Sequence, residues 1–370
     1  MSWQLTAADL TDLARGATLL GTGGGGDPYI GKMLVARVLG EGSITILDPD
    51  EIDDDMFVIP TAQMGAPTVM IEKIPAGTEP TLALRTLEEH LGRKADATMP
   101  IECGGINSMI PLVVAAETGL PVVDADGMGR AFPELSMETF AVYGVHGSPL
   151  ALAGERGERV IIDTGDDDRQ MEWLARAITI RLGGVGHIAE YAMTGRDVKR
   201  TAVPRTLSMA LNLGRAIRVA REEHRSPFEA IAETLASTLY SHVRELEVGK
   251  VTDVERRTTD GFAKGRAVIT PLDTSRSDVL EIQFQNENLV ARRGDELVAI
   301  VPDLICVVDA DTAEPITTEG LRYGQRVRVL GISTPEMMRT PEALRAFGPS
   351  AFGLAEEFVP VESLAARTRS

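Results

Sequence analysis

Residues 97–130, ATMPIECGGINSMIPLVVAAETGLPVVDADGMGR, decide the fold of this chain. Ala97–Ile101 is a short apolar run that ends in Glu102 and Cys103. Asn107 to Thr118 carries helical spacing and stops at Gly119, and Leu120–Val123 is a second apolar run that ends in Asp124 and Asp126. Strand, helix and strand in succession predict a parallel pair with a helical crossover. Outward from this unit, Ser43–Leu47 and Met56–Pro60 read as further strands, and Pro28 through Val38 and Glu79 to Leu91 as helices. The expected fold is therefore α/β, with a layered N-terminal domain around a mostly parallel sheet. In such sheets ligands collect at the carboxyl ends of the strands. Here those ends carry Thr61 and Gln63, Glu102 and Cys103, and Asp124 and Asp126, so one shared small-molecule pocket is expected.

Upstream, Thr6 and Asp9 have capping-box spacing, and Leu10, Leu13, Ala14 and Ala17 continue as a helix that runs into Gly21-Thr-Gly-Gly-Gly-Gly-Asp27. This loop satisfies G-x-G-x-x-G, yet a helix precedes it where a dinucleotide fingerprint needs a strand. It also spells G-x-x-x-x-G-K, but Met33 stands where a P-loop needs Ser or Thr. No nucleotide cofactor is expected. Consecutive glycines are entropically expensive and serve where backbone must approach closely or take positive φ. Gly23, Gly24, Gly25 and Gly26 are accordingly candidate substrate-binding positions through their N–H groups, together with Asn107; a plain helix–helix turn is the competing explanation.

Downstream, Phe140–Val145 and Arg159–Asp163 read as strands, and Asp166–Asp168 as the cap of a helix through Leu182. Gly183–Gly186 is a hinge or boundary signal. Helices fit Pro204 to Glu223 and Pro227 to Tyr240, and evenly spaced short strands over 245–332 suggest a β-rich barrel or sandwich subdomain. The expected organisation is an N-terminal α/β domain, 1–165, and a C-terminal α+β domain, 166–370.

The chain has 370 residues, with 55 acidic residues against 37 basic ones and a formal net charge of -18. Such a field repels phosphate backbones, so nucleic acid is not an expected partner. No run reaches the ~18 apolar residues a membrane helix needs, and the acidic amphipathic N-terminus does not read as a signal peptide, so a cytoplasmic protein without membrane contact is expected. Cys103 and Cys306 are too few and too distant for a disulfide framework.

Side chains two apart on an extended segment face the same way, so Asp124 and Asp126 are candidate metal ligands, and a divalent ion (zinc, magnesium or manganese) is a candidate cofactor. Glu102 and Asp124 are candidate bases, and Arg130 is a candidate anion stabiliser. Helix capping by Asp126 with an Arg130 surface ion pair explains the same residues. Cys103, near a predicted helix start, is a candidate nucleophile. His146 and His187 sit in glycine-rich turns and are candidate proton donors, although isolated histidines are often structural. Asn286-Glu287-Asn288 and Pro302-Asp303 read as polar tips of the β-rich part facing the pocket, and hairpin-turn chemistry explains them equally well.

Gly21–Pro28, Glu102–Asn107, Asp124–Pro133 (DADGMGRAFP), Gln285–Asn288 (QNEN), Pro302–Ile305 (PDLI) and Gly348–Gly353 (GPSAFG) together resemble the bacterial S-methyl-thiohydantoin desulfurase-like proteins, formerly a domain of unknown function. The resemblance implies a five-membered cyclic imide or thioimide substrate and a hydrolase acting on a C–S or C–N bond of a hydantoin-like ring. It also implies an α/β N-terminal part and a C-terminal part with β structure, and carries no catalytic residue set. The alternative is a non-catalytic binding or assembly subunit for a hydantoinase- or oxoprolinase-type partner. A homo-oligomer is expected because most soluble assemblies are symmetric copies of one chain.

Overall fold

Thr6 and Asp9 form the reciprocal cap that their spacing predicts. Before it the chain makes an edge strand, β1 (Trp3–Thr6), and after it α1 (Leu10–Leu20). In the computed structural model, residues 1–65, 69, 76–259, 262–273, 275 and 277–364 are described. The chain continues through α2 (Pro28–Leu39), β2 (Ser43–Leu47), β3 (Phe57–Gly65), α3 (Glu79–Leu91), β4 (Ala97–Met99), α4 (Ile110–Thr118), β5 (Val122–Val123) and β6 (Ala125–Asp126). Next come α5 (Thr139–Val142), β7 (Leu150–Ala153), β8 (Arg159–Ile162), α6 (Asp168–Arg181), β9 (Val185–Ala189), β10 (Met193–Thr194), α7 (Gly195–Thr201), β11 (Val203–Pro204), α8 (Thr206–Glu222) and α9 (Pro227–Leu235).

Apart from β6 and β11, which pair with each other, these strands build one mixed sheet in the order β1-β2-β5-β4-β3-β9-β7-β8, with β10 also on β3. Its parallel run is β2-β5-β4-β3, the unit announced by residues 97–130. Around it β1, β9, β7, β8 and β10 pair antiparallel. Almost all of β3 is buried, as expected for a strand covered on both faces. The Gly183-Gly184 turn, both residues at positive φ, feeds α6 into β9, so the sheet continues across this glycine break.

The C-terminal half adds β12 (Val243–Thr259), β13 (Phe262–Pro271), β14 (Leu280–Gln285), β15 (Glu287–Arg293), β16 (Glu296–Ile300), β17 (Leu304–Asp309), β18 (Arg326–Ile332) and α10 (Pro341–Phe347). They form an antiparallel sheet in the order β16-β15-β14-β13-β12-β18-β17, curled so that β15 packs near β17 as in a half-barrel. Strand β14 alternates buried and half-buried residues, the signature of a sheet with one covered face.

One expected strand is corrected: Phe140–Val145 is not extended, and residues 139–142 form the short helix α5. Its apolar residues fill a core with Tyr191 and Leu135 instead of pairing in a sheet. A single large core joins α1, α4, α8 and β17 through Leu13, Leu112, Leu213 and Leu304, which locks the C-terminal half onto the N-terminal layer.

Candidate functional site

Two glycine-rich loops interlock at the carboxyl end of β4. The Ile106 N–H donates to the Gly25 carbonyl at 2.8 Å, and a Cβ on Gly105, which has φ +61°, would collide with Gly25 backbone. The hairpin between β14 and β15 closes on the same loops. Asn288 N–H donates to Thr22 O at 2.8 Å, and Glu287 accepts from Gly25 N–H at 3.3 Å. A side chain at Gly24 would occupy the space of the Glu287 carboxylate. The run of glycines is therefore the space in which strands from both halves of the chain meet.

Between them lies a cavity of about 80 Å³, lined by Gly25, Gly26, Gln63, Glu102, Asn107 and Glu287 among others. That is room for several waters or for the polar core of a small ring. Asn107 is its hub: Nδ2 donates to Glu102 Oε1 at 2.8 Å and to Gln63 O at 3.2 Å, while Oδ1 accepts from Gln63 N–H at 2.8 Å. Three buried atoms here have no hydrogen-bond partner among the described residues: Gln63 Oε1, Glu102 Oε2 and Glu287 Oε2. Buried polar groups are ordinarily satisfied, so convergent exceptions mark the place of a ligand.

Burial, and next the nearby Glu287 charge, push the Glu102 carboxyl well above its usual range. Burial also raises Glu287, to about 8, with the charge of Arg130 restraining it. The cavity thus presents two carboxyl groups that resist ionisation, and the charge of Arg130 favours ionisation of Glu287.

The other predicted residues occupy different places. Asp124 accepts from Ser208 N–H at 3.0 Å in the first turn of α8. Asp126 accepts from Gly129 N–H at 2.8 Å and from Cys103 N–H, holding the turn after β4 from behind the cavity. The two aspartates therefore diverge, and neither presents free oxygens to a shared ion. No group of three or more His, Cys, Asp or Glu poised to hold a metal occurs among the described residues. The expected Asp124–Asp126 metal pair does not fit this geometry, because each carboxylate already serves backbone donors.

Cys103 is wholly buried in the main core, and burial followed by Asp126 pushes its thiol well above the usual range, the reverse of an activated nucleophile. Arg130 is also fully buried, and it grips the two halves of the chain instead of an anion. Its guanidinium donates to Thr22 Oγ1 at 2.6 Å, Ala131 O at 3.0 Å, Asp303 O and Asn288 O at 3.2 Å, and Pro302 O at 3.3 Å. His146 is an exposed residue beside Asp168, 3.2 Å from Nδ1. His187 lies on β9 opposite Gln63. Burial lowers it to about 4, so its ring is neutral at neutral pH. Gly23 docks against Asn288 and Thr318 and does not line the cavity, and Gly24 borders Glu287.

Sequence reasoning had named Gln63 and Glu287 without assigning them chemistry. It missed Glu138 and Glu190, both fully buried, whose carboxyl oxygens find no partner among the described residues. Burial, then each other's proximity, holds Glu138 well above the carboxylate range, and burial does the same to Glu190. Asp126, raised to about 7 by burial, lies next in this row of acids. In the unfolded chain these groups titrate near ~4. Between about pH 4 and about pH 7 these groups therefore bind more protons in the folded protein than in the unfolded one, and their contribution to stability falls as pH rises. We expect the thermal midpoint to decline across that window, and Glu138→Gln with Glu190→Gln to flatten the decline. An unchanged slope in the double variant would contradict protonated burial.

Family models for the S-Me-THD-like N-terminal and C-terminal domains match residues 8–164 and 166–361. A crystal structure of a protein from Chromobacterium violaceum is similar over 97% of this chain and 100% of its own, with 25% identity and a TM-score of 0.82. No curated protein matches the chain. Matched by both domain models over nearly its full length, the chain belongs to the S-Me-THD-like family.

Proposed function

We propose that the protein is a hydrolase that removes the methylthio group of an S-methyl-thiohydantoin-like ring. The observation that carries this reading is the pair Glu102 and Glu287, two buried carboxyls facing one small cavity with unpartnered oxygens. A five-membered ring of alternating nitrogens and carbonyls supplies complementary donors and acceptors around its edge. Asn107 fixes Glu102, and Gln63 offers an acceptor to a ring N–H.

The reacting carbon lies between two ring nitrogens and carries the S-methyl group. Glu287, as carboxylate, takes a proton from water while the water oxygen bonds to that carbon. Glu102, as acid, protonates the adjacent ring nitrogen. The tetrahedral adduct then collapses: its hydroxyl proton returns to Glu102, the C–S bond breaks, and the thiolate leaves with the proton held by Glu287. Water and substrate become a ring carbonyl and methanethiol, and both carboxyls regain their starting states. The assignment follows electrostatics, since Glu287 has the Arg130 charge nearby and Glu102 has carboxylates as its main charged neighbours. Such positioned acid–base pairs contribute about 10²–10⁴-fold.

The purified chain, incubated with 2-methylthio-hydantoins, should release methanethiol and an intact hydantoin in equal amounts. A ring-opened acid that keeps its methylthio group as an S-methylisothiourea, with no thiol released, would assign the site to C–N hydrolysis. Binding without any turnover would favour the non-catalytic subunit.

A further inference from the structure

Helix α6 carries two apolar faces where a surface helix needs one. Met171 and Ala175 point into the core, as an amphipathic helix requires. Trp173, Ala177 and Ile180, spaced i, i+4 and i+7, form a second stripe, with Trp173 65% and Ile180 59% exposed. This stripe lines a groove of about 1390 Å³ that is also lined by Ala346 on α10 and Ala351 after it. The groove and the small cavity share two lining residues, Glu134 and Arg176. Arg176 is held at this neck by a hydrogen bond to Pro133 O at 2.9 Å and by Phe262, whose ring centre lies 4.5 Å from the guanidinium.

Resting on the ring-hydrolase reading above, we infer that the groove binds the substituent of the substrate ring, and that this substituent is a bulky apolar chain, uncharged or cationic. The cavity is sized for the ring, so a substituent would extend past Glu134 and Arg176, the two residues that line both spaces, toward the stripe. Glu134, Asp166, Asp167, Asp168, Glu172 and Glu342 line the groove against Arg169, Arg176 and Arg345, six acids to three arginines. That balance disfavours a carboxylate on the chain.

The test uses the full protein and three product-like ligands, hydantoin, 5-benzylhydantoin and 5-(2-carboxyethyl)hydantoin, with dissociation constants from calorimetry. The benzyl compound should bind at least about tenfold more tightly than hydantoin, and the carboxyethyl compound no more tightly. In Trp173→Ala and Ile180→Ser the ratio of hydantoin to benzyl dissociation constants should fall toward unity; the ratio is internally controlled, since general damage would weaken both ligands. A benzyl preference that survives both variants, or its absence from the wild type, overturns the groove assignment. Failure of all three ligands to bind the wild type would instead strike the ring-hydrolase reading itself, and this inference with it. Hydantoin binding that Glu102→Gln weakens, without any benzyl preference, would leave that reading standing and remove the groove alone.

Discussion

Glu287→Gln is expected to lower kcat/KM for thiol release by about 10²–10⁴-fold and to abolish the acid limb of the pH profile. The wild-type base must be ionised, and burial places the Glu287 carboxyl at about 8. Below that value the active fraction falls about tenfold per pH unit, so kcat/KM should climb with pH and level off above about 8. Glutamine keeps the shape but cannot accept the proton of water, so the residual rate should lose this dependence. Glu102→Gln should reduce kcat by a similar factor with a smaller change in KM. Its amide still donates a hydrogen bond to the ring but cannot transfer a proton. The two groups act as a pair, so the double variant should be little worse than either single one. Glu287→Gln retaining the wild-type pH limb, or more than about a tenth of the wild-type rate, would remove Glu287 from the base role.

The second large effect concerns stability. Arg130→Met should destabilise the fold by about 3–5 kcal/mol, read as a lower urea midpoint. Methionine replaces the aliphatic stem as far as the position of Nε but cannot satisfy the carbonyls of Ala131, Asn288, Pro302 and Asp303 or the hydroxyl of Thr22. Each buried group left without its donor costs about 1–3 kcal/mol, less whatever water recovers. The guanidinium is itself lowered to about 10 by burial, so it is charged at neutral pH and acts on Glu287. Any folded Arg130→Met enzyme should therefore show its acid limb displaced to higher pH. A loss below about 1 kcal/mol would mean that the clamp contributes little beyond its packing.

Local patterning carried much of the fold. The capping box at Thr6 and Asp9, Pro28 in the first turn of α2, and Asp167 capping α6 all follow from backbone groups satisfied within a few residues. Residues 97–130 announced a parallel unit because helix and strand periods differ and the glycines mark the turns. The extended reading of residues 140–145 failed for a related reason. Over a short apolar run, period alone does not separate a strand from a buried helical turn, and tertiary packing against Tyr191 decided it.

By itself, the sequence determined an acidic α/β chain with a β-rich C-terminal sheet and placed Glu102, Asn107 and the glycine loop at element ends, where chemistry gathers. Those are local properties of spacing and backbone conformation. Only the tertiary structure decided which carboxylates meet. It sent Asp124 to the start of α8 and Asp126 behind the Cys103 turn, and it brought Glu287 from the C-terminal sheet against Gly24 and Gly25. The physical reason is that a carboxyl's chemistry depends on its desolvation and on the charges around it. Both are set by neighbours that arrive from distant parts of the chain.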